Sequence, residues 1–153
     1  MADRVSATIA IGGTVSAAQF ARLVELIALY DLRLDWDGEV FTPDQIPTGD
    51  ALRLCAYDVA WGTFEDLEQY CCNEQIAYQR WSGSCSGSFG AERIVYDGKT
   101  GPLNFAVTDD DHVVVYAQAI DQLGSMRAIR RYIAQAEIAI PPLVVLEAPA
   151  AAA

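Results

Sequence analysis

Apolar side chains recur along the chain with two spacings, one near 3.6 residues and one of 2, and these set out the elements. Ala7 to Ile11 reads as a strand that stops at Gly12-Gly13. Ser16 to Gln19 is a capping-box pattern, with the serine hydroxyl placed to accept an orphan backbone N–H and Gln19 to reach back. The helix it opens carries Phe20, Leu23, Val24 and Ile27 on one face and is expected to end near Tyr30. Leu32, Leu34 and Trp36 then alternate with Arg33, Asp35 and Asp37, the period of a half-buried strand. Asp37-Gly38 predicts a tight hairpin turn, from which Glu39-Val40-Phe41 returns.

After a loop marked by Pro43 and Pro47 the order repeats. Leu52 to Tyr57 reads as a strand, and Thr63 with Asp66 opens a second helix striped by Phe64, Leu67, Tyr70 and Cys71. Ile76 to Trp81 is the next strand, so Trp81-Ser82-Gly83 answers Trp36-Asp37-Gly38. The pattern predicts an α+β fold, a two-layer α/β sandwich. Its finer form is a ferredoxin-like βαβ duplication with an added β-hairpin and a C-terminal helix.

Ser82 to Gly90 is nearly all Ser and Gly and reads as a flexible loop. Arg93 to Tyr96, Leu103 to Val107 and Val113 to Tyr116 read as strands, turning at Asp97-Gly98 and Asp109-Asp110. A last helix begins near Ser125, with Met126, Ile129 and Ile133 as its stripe and Arg127, Arg130 and Arg131 on another face. Pro141-Pro142 ends it, and Leu143 to Leu146 forms an edge strand through which copies of the chain could self-associate. Residues 1–147 are one domain and 148–153 an Ala-rich, disordered tail.

Composition narrows the class. The 153 residues suit a single domain, and 52% apolar against 20% charged residues excludes disorder for the bulk. No apolar run approaches the roughly 18 residues that span a bilayer. The N-terminus lacks the apolar core and cleavage site of a secretory signal, so a soluble cytoplasmic protein is expected. Cys55, Cys71, Cys72 and Cys85 have no zinc-ligand spacing and read as reduced thiols. No metal or other cofactor is expected.

Charge gives the functional expectation. Of the net −11, most lies between Asp31 and Glu74, where eleven acids face only Arg33 and Arg53. Such a field repels nucleic acid and anionic membranes, whose binding needs Lys or Arg against phosphates. It favours a small non-enzymatic protein that docks on a basic protein surface, in its narrower form as a nucleic-acid mimic or inhibitor. Asp35, Trp36, Asp37, Glu39, Trp61, Glu65, Asp66 and Glu68 are the expected contact residues, the tryptophans because they offer a rigid apolar body with a polar handle.

A second possibility is a cysteine-dependent hydrolase or transferase. Gly83-Ser84-Cys85-Ser86-Gly87 has the form of a nucleophile elbow, with His112 as base. No helix pattern follows Gly87, the only histidine sits in a hairpin tip, and a small-residue loop that happens to contain a cysteine is the favoured account of the segment. Asp109-Asp110-Asp111-His112 does not space its acids as a calcium loop does and reads as a solvated turn.

Overall fold

A computed structural model describes residues 2–147. Its elements are β1 (Arg4–Val15), α1 (Ala17–Leu29), β2 (Leu52–Ala60), α2 (Glu65–Asn73), β3 (Ala77–Ser82), β4 (Glu92–Tyr96) and β5 (Leu103–Ala106), then α3 (Ala117–Leu123), α4 (Met126–Ala136) and β6 (Leu143–Val145). Five strands form an open antiparallel sheet in the order β2-β1-β3-β4-β5, and β6 adds in parallel to the end of β1. The fold is α+β, a sheet sandwiched against helices. The predicted tail, 148–153, lies outside the described residues.

The register explains the core. Ala7, Ile9 and Ile11 of β1 stand beside Ala56, Leu54 and Leu52 of β2, and all six are buried. Period 2 puts them on one face, where they meet Leu23, Leu26 and Ile27 of α1 and Leu67 and Cys71 of α2. The capping box forms as expected: Ser16 Oγ accepts from the Gln19 N–H at 3.1 Å, and Gln19 Oε1 accepts from the Ser16 N–H at 2.8 Å. On the opposite face, α4 covers only the far end of the sheet, with Ala136 and Tyr132 against Val95 and Phe105. Arg93 pins that helix by donating to the Ala136 carbonyl, one of the orphan acceptors at its C-terminus.

Several expectations change form. The strand over Leu32–Trp36, which a ferredoxin-like duplication requires, is reduced to one residue: Arg33 bridges Cys55 on the outer edge of β2 and Val40 on its other side. Asp31, in the left-handed region at φ 52°, turns the chain just before it. The expected hairpin turn at Asp37-Gly38 is displaced, because the Gly38 N–H donates to the Asp35 carbonyl and puts Trp36 and Asp37 at the turn's centre. Thr63 does not cap α2, which begins after Phe64, whose N–H donates to the Glu68 carboxylate at 2.7 Å. Val113–Tyr116 makes only the bridge Val113–Val107, and α3, closed by Gly124 in the left-handed region, is an element that the apolar pattern did not signal.

Candidate functional site

β2 is the last full strand of the sheet, and past Cys55 no strand pairs with its outer edge among the described residues. The chain is anchored there once: the Arg33 N–H donates to the Cys55 carbonyl at 3.0 Å and the Cys55 N–H to that of Arg33 at 2.8 Å. Beyond this pair β2 bulges against β1, between the Val5–Val59 and Ala7–Ala56 partners, with Asp58 at φ 53°. The space left between this edge and the C-terminal end of α1 is a groove of about 620 Å3. Leu29, Tyr30 and Asp31 form one wall, Tyr57 to Ala60 the other, and Trp36 and Asp37 close over it.

Trp36 is held across the groove by Tyr57, their ring centroids 4.9 Å apart. The two rings remain 37% and 56% exposed, so the pair is a surface platform rather than core. Arg4 and Arg33 also line the groove, yet both donate to main chain, Arg4 to the Asp58 carbonyl at 2.7 Å and Arg33 to that of Gly38. Asp31, Asp37 and Asp58 are in no ion pair among the described residues. The Tyr30 hydroxyl accepts from the Asp66 N–H at 2.9 Å and so joins this wall to the start of α2. Burial pushes the Tyr30 phenol up, and the carboxylates of Asp66, Glu65 and Glu68 push the same way.

The expected contact residues separate in space. Trp36 and Asp37 line the groove, while Asp35 turns to a smaller depression on the open sheet face with Arg53, Gln79 and Trp81. Glu39, Glu65 and Asp66 are exposed and do not line the groove. Trp61 is exposed and packs on Phe89, with a centroid distance of 6.4 Å. Glu68 differs: it is 9% exposed, and its Oε1 accepts from Arg80 Nε at 2.7 Å in the core. The sequence held that signal, since Phe64, Leu67, Glu68 and Cys71 stand at i, i+3, i+4 and i+7, which places Glu68 within the apolar stripe. Asp58 is not among the expected contact residues, because an open edge is a property of strand order.

Cys85 sits in a closed turn, its N–H donating to the Phe89 carbonyl at 2.9 Å, and the element after Gly87 is the strand β4 rather than a helix. His112 is exposed at the Thr108–His112 turn. The nearby acid serves another partner: Asp109 accepts from both the N–H and the hydroxyl of Ser84, each at 2.9 Å. No group of three or more His, Cys, Asp or Glu side chains among the described residues is gathered so as to hold a metal ion. No helix among them is long and apolar enough to cross a membrane. Val144 and Leu146, beside the β6 edge, are exposed. Neither a scan against protein-family models nor searches of curated proteins and of solved structures yields a match to this chain.

Proposed function

We propose that this protein is a non-enzymatic interaction module that docks its acidic flank, centred on the groove at the β2 edge, onto a basic surface of a partner protein. The groove is the observation that carries the reading: a concave opening beside the outer sheet edge, lined by the Trp36–Tyr57 pair and by Asp31, Asp37 and Asp58, which are in no ion pair among the described residues. Exposed aromatic anchors ringed by charge are what binding hot spots consist of. A nucleic-acid mimic would need carboxylates in rows at the charge spacing of a duplex. Of the expected carboxylates only Asp37 lines the groove, beside Asp31 and Asp58, and Glu68 is in the core, so the reading stays with the general module. Four unpaired thiols suit the reducing cytoplasm, where we place the protein.

Capture of a protein partner from native cell extract, compared at low and high salt, tests the proposal. Binding should weaken with salt and be lost in the triple variant Asp35→Asn, Asp37→Asn, Glu39→Gln. Unchanged binding by that variant would refute it.

A further inference from the structure

We infer that the groove at the β2 edge receives an arginine side chain of the partner, carried on a short extended segment that lies along β2; this rests on the docking reading above. The Trp36–Tyr57 pair supplies the first argument. Aromatic faces attract cations, tryptophan most strongly, and this pair is exposed at the mouth of the groove. The second argument is charge complementarity. Asp31, Asp37 and Asp58 line the groove without an ion-pair partner among the described residues, and they outnumber Arg4 and Arg33, each of which donates one N–H to a carbonyl oxygen. Helix direction adds to this: Leu29 to Asp31 form the C-terminal end of α1, the negative end of its dipole, and no basic residue stands in its last turn.

These features select a guanidinium over an ammonium. A guanidinium is planar and weakly hydrated, so it can lie on a ring face while its edge N–H groups reach a carboxylate. A lysine ammonium is a compact, strongly hydrated point charge and does only one of these well. The open edge of β2 adds the backbone: with no strand paired beyond Cys55 among the described residues, Tyr57 is available to pair with an extended chain. The bulge at Asp58 breaks the ladder after Tyr57, which keeps the added segment short and leaves the side chain as the anchor.

The test is a titration of the whole 15N-labelled protein at low salt with acetyl-Arg-Gly-Arg-Gly-Arg-amide, its lysine counterpart and its citrulline counterpart. The arginine peptide should shift the Trp36 indole N–H and the Tyr57 amide saturably. The lysine peptide should bind more weakly, and citrulline, which keeps the shape without the charge, should not bind. Trp36→Ala should weaken the arginine peptide by about tenfold, the scale of a partly desolvated cation–π contact. Asp31→Asn with Asp37→Asn, which preserves size, should weaken it comparably. Equal binding of the lysine peptide, or arginine binding that shifts other acidic segments and leaves Trp36 and Tyr57 unmoved, would overturn the inference while the docking reading stands. Failure of every cationic peptide to bind would overturn both.

Discussion

The residues with the most demanding surroundings are Glu68 and Arg80. Arg80, 2% exposed, spends its guanidinium on Glu68, the Gly62 carbonyl, Ser82 Oγ and Glu92, at 2.7 to 3.0 Å. Burial opposes its charge, but Glu68 and Glu92 outweigh that and hold the guanidinium protonated more firmly than usual. Removing one partner leaves a buried charge uncompensated, so Glu68→Ala should cost about 3–5 kcal/mol in denaturant unfolding. Glu65→Ala, one turn away and exposed, should stay within about 0.5 kcal/mol. Equal losses would refute the structural role given to Glu68. At Asp109 the Ser84 N–H and hydroxyl hold the carboxyl below the usual aspartate range. The depressed value means that the ionised form is favoured in the folded protein. The Ser84 tether is therefore present above pH of about 3.9, the unperturbed aspartate value, and is lost as pH falls through the lower folded value. Ser84→Ala should raise the Asp109 midpoint in an NMR titration, and an unmoved midpoint would contradict the tether.

Among the elements, β6 depends on the absence of a side chain. A Cβ on Gly12 would stand 1.7 Å from the Pro141 carbonyl oxygen, and the next residue, Gly13, donates to the Pro142 carbonyl at 3.0 Å. Gly12→Ala should push the C-terminal segment off β1 at a cost of about 1–3 kcal/mol, with faster amide exchange at Gly13 and Leu146. Protection equal to wild type would show the contact to be dispensable. The elements legible in the sequence were α1 with its capping box and the alternating face of β2; in α4 the Ser125 cap was legible, but of the expected stripe Met126 is exposed, and Tyr132 and Ala136 make the contact with the sheet. The segment Leu32–Trp36 has the right alternation but does not form a strand. Its path is decided by the turn at Asp31 and by the hold of Tyr57 on Trp36, contacts that no local period encodes. The acidic stretch and Trp36 were likewise readable as candidates. The groove was not, because it comes from β2 lying outermost and from a bulge at Asp58, both consequences of long-range pairing.

For the whole molecule, charge is the property that joins fold and proposed function. The net charge is −11, and of the acids between Asp31 and Glu74 only Asp50 and Glu68 are within ion-pair distance of an arginine among the described residues. Like charges left unpaired repel one another, which lowers the stability of the compact state. Repulsion between exposed groups is screened over about 30 Å at 0.01 M salt but only about 3 Å at 1 M. The melting temperature should therefore rise between these two salt concentrations. It should rise less in the triple variant Asp35→Asn, Asp37→Asn, Glu39→Gln, whose low-salt melting temperature should already exceed that of wild type. For a chain of this length about 1 kcal/mol corresponds to roughly 2–4 °C, well within the reach of calorimetry. None of the three carboxylates is in an ion pair among the described residues, so no stabilising partner there is lost with them. A variant that melts higher yet no longer captures the basic partner would mean that these acids are held against stability, as expected of residues that serve binding. A variant that melts lower at both salt concentrations would instead make them part of the fold's own support, and the acidic flank would lose its claim to be an interaction surface.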